Sequence, residues 1–219
     1  LIAGVLTVLL CLLMGEYLNI NAMPVALGAM LAVNLLGARP AYVTNMALTL
    51  IITLLTAKGT GLVTSQTMSV LLTCSLGGLV AIWMMRKNTT RVMVVVSGLV
   101  VGAVNFGVLV CVRALTSSDM SGVWTDMAYA IGGAVVSAVL CVGLQPILET
   151  AFNLVTPSKL IELSNPNQPL LRRLMIETPG TYHHSMVVAN LAEAAAEAVG
   201  ANALLARVGA YYHDIGKLI

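Results

Sequence analysis

Six apolar runs, each close to the length a helix needs to cross a bilayer, dominate this sequence and restrict what it can fold into. They cover Leu1–Met14, Leu18–Leu36, Ala41–Ala57, Thr67–Met85, Val92–Leu115 and Trp124–Leu148. A water-soluble domain has no interior large enough to hide them. Composition closes that route as well: 58% of the residues are hydrophobic and 9% charged, against roughly 45–50% and about 25% in ordinary globular chains. The same balance excludes a disordered chain, a collagen and a disulfide-stapled scaffold. The expectation is an all-α, polytopic transmembrane bundle.

The first run is short for a span. It opens at Leu1 with no basic stretch before it and no small-residue cleavage site after it, so it reads as a helix missing its start rather than a signal peptide. The last residue, Ile219, falls just after a motif. Both features lead to the expectation of a piece of a longer protein. Pro24 lies near the start of the second run, where a helix tolerates proline, so that run is expected to be one continuous span.

Charge gives the orientation. Arg39 lies between the second and third runs, Arg86, Lys87 and Arg91 between the fourth and fifth, and Lys159, Arg172 and Arg173 after the sixth. If the runs alternate, all of these share one side, while the other side holds Glu16, Lys58, Arg113, Asp119 and Asp126. By the positive-inside rule the carboxy-terminal segment is cytoplasmic, and the expected location is the plasma membrane. Nine of the twenty Asp, Glu, Lys and Arg residues lie in 1–145 and eleven in the remainder, together with all three histidines. A polar segment therefore follows the membrane block. A net charge of +2 without a basic run argues against nucleic acid as a partner.

Within the runs, Gly98 with Gly102 and Gly28 with Ala32 are small-xxx-small pairs suited to helix contact. Asn34 and Asn105 are expected to hydrogen-bond between helices. Cys11, Cys74, Cys111 and Cys141 form no C-x-x-C pair and read as small buried hydrophobes. No Asp, Glu, Lys or His sits in mid-span, which counts against a proton- or ion-coupled transporter.

After Leu148 four prolines, Pro157, Pro166, Pro169 and Pro179, punctuate a linker. Phe152–Leu163 is expected to be a helix interrupted near Pro157, and Leu170–Ile176 a short helix. Thr181–Gly200 has strong helix propensity, with His184, Val188, Leu191 and Ala195 on one face and Gly200 as its stop. Ala201–Tyr212 begins a second helix capped by Asn202, with Leu205, Val208 and Tyr212 sharing a face. That helix runs into His213-Asp214-Ile215-Gly216-Lys217.

Imidazole and carboxylate are both good ligands for first-row metals. Adjacent residues on a helix point about 100° apart, so His213 and Asp214 reach one ion only near a helix end, a break that Gly216 permits. Lys217 supplies positive charge for an anionic substrate. An antiparallel helix pair can bring His184 beside His213. Taken alone, a His-Asp dipeptide is more often a structural hydrogen-bonded pair.

The wider pattern changes that weighting. His184-Ser185 opening a helix, followed by His213-Asp214-x-Gly216-Lys217 after a second helix, resembles the start of an HD-domain phosphohydrolase. The run from Pro179 to Ser185, Val188 to Ala195, Ala206 to Lys217, and the linker elements Leu160–Ser164 and Pro169–Leu174 are similar to the seven-transmembrane HD proteins, the PgpH-type phosphodiesterases that degrade cyclic di-AMP. The likeness is dense from about Leu144 to Lys217 and rests on hydropathy before that.

That resemblance implies an extracellular sensory domain, seven membrane helices and a cytoplasmic all-α HD domain. The six runs would be spans two to seven, and the expected division is 1–150 membrane region, 151–180 linker and 181–219 the first helices of the HD domain. It also implies hydrolysis of a cyclic dinucleotide, cyclic di-AMP to linear pApA, at two divalent transition metals, iron or manganese. His184, His213 and Asp214 would be metal ligands, with Asp214 bridging. Lys217 would stabilise phosphate charge as a catalytic and substrate-binding group, and His183 would lie on the substrate side. Arg172 and Arg173 read as a topology signal. The family needs further histidines and an Asp after the His-Asp pair, so the chain by itself is expected to be inactive and the full-length protein an enzyme. The alternative is a non-catalytic membrane receptor with a degenerate HD domain. The partners expected are the cyclic dinucleotide and the lipid bilayer, with self-association left open.

Overall fold

A computed structural model of the chain describes residues 2–60, 64–86, 90–116 and 122–218. Among them there is no strand, and the chain divides into two compact units, Leu1–Leu154 and Val155–Ile219. The positions of Lys87 and Asp119, used above for orientation, lie outside the described residues, as does the side chain of Lys58.

The first unit contains α1 (Ile2–Tyr17), α2 (Leu27–Leu36), α3 (Ala38–Thr60), α4 (Ser65–Met85), α5 (Arg91–Thr116) and α6 (Val123–Ala151). Among the described residues four stretches are long and apolar enough to cross a membrane: Ala38–Ala57, Ser65–Met85, Arg91–Thr116 and Val123–Ala151. They pack in sequence, α3 on α4, α4 on α5 and α5 on α6. The short connections between them make neighbours antiparallel. Arg39, Arg86 and Arg91 therefore share the end of the bundle at which α6 finishes.

The second apolar run departs from expectation. It is not one continuous helix. A 3-10 turn at Ile20–Ala22 is followed by irregular backbone through Met23, Pro24 and Val25, and only then by the ten-residue α2. Ten residues rise about 15 Å, half a hydrocarbon core. Pro24 carries no N–H to donate and clashes with a preceding helical turn, so it breaks the run rather than merely starting it. The break is seated against α6: a Cβ added at Gly133 would lie 2.6 Å from the Ala22 carbonyl oxygen. Nearly all of α2 is buried, with Leu27, Met30 and Leu31 fully so, and it packs on α3, α4 and α6.

Packing in this unit buries small and polar groups beside a core of larger ones such as Leu27, Met30, Ile82 and Met85, and leaves many further large apolar groups outside. On α3, Val43, Met46, Leu50 and Leu54 recur at helical spacing and are 57–70% exposed. That is how a lipid-facing stripe differs from a soluble helix, whose apolar face is hidden. Inside, the Gly98–Gly102 pair meets α6 as expected. A Cβ at Gly98 would lie 2.7 Å from the Ala138 methyl, and one at Gly102 would lie 3.2 Å from the Ile131 backbone.

Asn34 makes the interhelical bond expected of it, its Nδ2 donating to Gln145 Oε1 at 2.9 Å, and Gln145 in turn donates to Glu149 Oε1 at 2.7 Å. Asn105 does not: it is 5% exposed and its carbonyl oxygen has no partner among the described residues. Cys11, Cys74 and Cys141 are buried as expected, but Cys111 is exposed on the outer face of α5.

The second unit contains α7 (Pro157–Leu163), α8 (Pro169–Glu177), α9 (Pro179–Ala198) and α10 (Ala203–Tyr212). Three of these helices start with proline at a first-turn position, where the missing N–H costs nothing. Thr156 caps α7 through the Lys159 N–H at 3.2 Å, and Asn202 caps α10 through the Leu205 N–H at 3.0 Å. Gly200 closes α9 at φ +70°, a left-handed value that glycine adopts without strain.

The core joins Leu171 of α8, Ala189 of α9 and Tyr211 of α10, with Leu174 fully buried nearby. Burial of a leucine is worth about 1.5–3 kcal/mol. The buried face of α9 is Ser185, Ala189 and Ala196, not the Leu191 stripe expected from spacing, since Leu191 is 67% exposed. On α10 the buried residues are Val208 and Tyr211, while Leu205 is half exposed. The small residues of α9 face inward because α8 and α10 approach it closely on that side.

Candidate metal centre

The site forms where α10 ends. Helical backbone stops at Tyr212, His213 is the cap, and a 3-10 turn follows at Ile215–Lys217. His213 and Asp214 thus occupy the change from one helix type to another, where adjacent side chains can converge. Gly216 is not needed for this. Its φ is not left-handed, and a Cβ there would meet nothing. The expectation that Gly216 permits the break is therefore corrected.

Three contacts position α10. Arg207 Nη1 donates to Glu193 Oε2 of α9 at 2.6 Å, and Arg207 Nε donates to the Tyr211 hydroxyl at 2.6 Å. The Tyr212 hydroxyl donates to the Leu163 carbonyl of α7 at 2.8 Å. With α9 and α10 fixed side by side, the rings of His184 and His213 lie 5.6 Å apart between centroids.

His184, His213 and Asp214 each offer one ligand atom, and these atoms all lie within 4.8 Å of one another. Ligands on a single ion, at bonds of about 2.0–2.2 Å, are at most about 4.4 Å apart. The cluster is a few tenths of an ångström from closing on a cation. The donor set, two imidazoles and a carboxylate, suits first-row divalent metals.

The geometry also fixes a tautomer. His213 Nδ1 lies 2.7 Å from the Ala210 carbonyl oxygen, which can only accept, so Nδ1 carries the proton and donates it. The lone pair of neutral His213 is then on Nε2, which faces Asp214 Oδ2 at 3.5 Å. Two acceptors pointed at each other call for a cation between or beside them. Lys217 Nζ donates to that same Oδ2 at 2.6 Å. This bond holds the Asp214 carboxyl below the usual carboxylate range against the opposing effect of burial; the charge of Lys217 acts in the same direction, as do those of His213 and His184 when their rings are protonated.

The structure thus brings together four of the five residues singled out by sequence: His184, His213, Asp214 and Lys217. His183 is exposed on α9 and is not part of the three-ligand cluster. Sequence reasoning missed the Ala210 carbonyl and the Arg207–Glu193–Tyr211 clamp. The Arg-x-x-x-Tyr spacing of Arg207 and Tyr211 was the available signal for the clamp. Nothing in a side-chain motif marks a backbone carbonyl.

Comparison with known proteins gives a consistent result. The family described as "7TM receptor with intracellular HD hydrolase" matches residues 1–156, and the HD domain family matches residues 181–219. The chain is 40% identical over 205 residues to the cyclic-di-AMP phosphodiesterase PgpH of Bacillus subtilis, covering 92% of this chain and 29% of that protein. It is 46% identical over 146 residues to the protein of the same name from Listeria monocytogenes, covering 66% of this chain and 20% of that protein. An uncharacterised protein of Synechocystis is 50% identical over 92 residues, 42% of this chain and 11% of that protein. The chain thus spans less than a third of the length of each of these relatives. No solved structure matches it.

Proposed function

Because this chain belongs to the family of 7TM receptors with an intracellular HD hydrolase, we propose that it is the membrane bundle and the first HD helices of a metal-dependent cyclic dinucleotide phosphodiesterase. The observation that carries this reading is the convergence of His184, His213 and Asp214 at the end of α10, with His213 held in the ligating tautomer. Cyclic di-AMP is the favoured substrate, on the strength of the relatives named for it.

In this reading 1–150 is the membrane region, 151–180 the linker and 181–219 the opening of the HD domain. The carboxy-terminal unit lies on the cytoplasmic side of the plasma membrane, supported by Arg39, Arg86 and Arg91 at the end where α6 finishes. Trp83, with Arg86 over its ring at 5.7 Å, marks that interface, and the exposed Trp124 at the start of α6 marks the other.

His184, His213 and Asp214 would hold divalent iron or manganese, with Asp214 as a shared ligand. That centre would supply Lewis acidity and neutralise phosphodiester charge. The chain's own groups do the rest. Ala210 orients His213, and α9 presents His184 to it. Lys217 on its short turn places an ammonium within reach of both the Asp214 carboxylate and an adjacent phosphate, adding charge stabilisation where negative charge develops. His183, exposed beside His184, is on the substrate side.

The test uses the full-length protein in detergent. It should hydrolyse cyclic di-AMP in preference to cyclic di-GMP, and Asp214→Ala should abolish turnover together with bound metal. Bound metal without turnover of either dinucleotide would refute the substrate. Absence of both metal and turnover would favour the receptor reading, in which the HD fold relays a signal without chemistry.

A further inference from the structure

We propose that the end of the membrane bundle where α4 begins, α5 finishes and α6 begins holds a water-filled pocket that reaches down to an ordered water on Asn105. The proposal stands apart from the catalytic reading and draws only on the bundle.

A cavity of about 210 Å³ opens at this end. Its wall is polar for a membrane bundle: Asn21, Ser65, Gln66, Ser69, Arg113 and Asp126 line it. Arg113 Nη2 lies 3.1 Å from Asp126 Oδ2, and Asn21 Nδ2 donates to Asp126 Oδ1 at 2.9 Å. Among the described lining residues the two charges cancel, so this part of the wall is rich in hydrogen-bonding groups without net charge. Such a surface favours water over lipid and over an ion.

A second void of about 10 Å³ adjoins it, sharing Ile20, Asn21 and Leu109, and reaches Thr73 and Asn105. That volume is about one water molecule. Asn105 lies two turns before Arg113 on α5, roughly 12 Å deeper at the helical rise. Its side chain is 5% exposed, and its carbonyl oxygen has no hydrogen-bond partner among the described residues. A carboxamide buried at that depth needs a hydrogen bond, and the void beside it has room for one water.

The broken second run is the independent observation. Ile20, Asn21, Met23 and Val25, the residues of the break, line this inner void. Non-helical backbone at membrane depth is tolerated where it is buried in protein or lines a water-filled cavity. Here it does both, with Ala22, Met23 and Val25 buried and the break lining the void, so the break, the orphaned amide and the void lie together.

The test is thiol accessibility in membranes carrying the protein with exposed Cys111 replaced by Ala. Ser69→Cys and Val112→Cys line the outer cavity, and Leu99→Cys, 55% exposed on the outside of α5, is the lipid-facing control. In permeabilised membranes a small charged methanethiosulfonate should modify the two cavity thiols about 100-fold faster than the control, because only a hydrated thiol ionises. Asn105→Cys should resist that bulky reagent yet bind Ag⁺, no larger than water, above the background of the native thiols. Cavity thiols as slow as Leu99→Cys, in protein that still elutes as a single folded species, would overturn the pocket. Failure of Ag⁺ to reach Asn105→Cys would overturn its floor. Labelling of intact cells from outside tests the orientation separately, so a wrong topology and a dry bundle give different results.

Discussion

The imidazole rings of His184 and His213 lie 5.6 Å apart with their planes tilted by 57°, and the fold leaves His213 one tautomer. Its Nδ1 is held by the Ala210 carbonyl at 2.7 Å, so its free lone pair is on the nitrogen that faces Asp214. A side chain used only for packing has no need of that constraint.

In protein prepared without divalent ions, nitrogen-15 NMR should therefore find neutral His213 protonated at Nδ1 and bare at Nε2. The opposite tautomer would mean that the Ala210 contact does not orient the ring.

Tyr212 ties α10 to α7 through its 2.8 Å bond to the Leu163 carbonyl. Tyr212→Phe should cost about 1 kcal/mol of stability and loosen the end of α10 that carries His213. Burial pushes the Tyr212 phenol above its ordinary value. Its contribution is complete below the unfolded tyrosine range and is lost as pH rises through the folded value. The wild type should thus lose its advantage over Tyr212→Phe only in strong alkali, as followed by thermal melts across pH. A deficit that is the same at pH 7 and in strong alkali would contradict the assignment.

Small residues let α5 and α6 touch, and size should be tolerated only where there is room. Gly98→Leu drives a side chain into Ala138 and should cost about 1–3 kcal/mol. Gly132→Ala, where a Cβ meets nothing, should be close to neutral. Equal melting temperatures in detergent for the two variants would argue against this packing.

The Asn34–Gln145 bond clamps the broken second run to α6. A double-mutant cycle with Asn34→Leu and Gln145→Leu should give a coupling of about 0.5–2 kcal/mol, the range of side-chain hydrogen bonds between membrane helices. A coupling near zero would mean the bond is incidental.

Much of this was legible in the sequence because it depends on local signals. The apolar runs placed α3 to α6 within a few residues, since length and hydropathy suffice for a helix in lipid. Asn202 and Gly200 marked the turn between α9 and α10 through their own capping chemistry. The His184, His213, Asp214 and Lys217 constellation was visible as a pattern, and its convergence followed from an antiparallel helix pair. What failed depended on three dimensions. Pro24 looked harmless near the start of a run, but the run is buried inside the bundle and its break is stabilised by Gly133 and Asn34 across the interface. Leu191 looked like core by spacing, yet the smaller Ser185 and Ala189 face the close neighbours of α9. The Ser185 hydroxyl is left without a partner among the described residues, which spacing alone does not reveal.

The central claim is that His184, His213 and Asp214 hold a divalent ion. The most direct test is Mn²⁺ binding to the full-length protein, followed by electron paramagnetic resonance, for the wild type beside His213→Ala and Asp214→Asn. Each substitution should weaken binding by about 100-fold or more, beyond the usual 10–100-fold cost of disturbing only a supporting group. Wild-type affinity in both variants, with the fold intact by circular dichroism, would place any metal elsewhere and contradict the account.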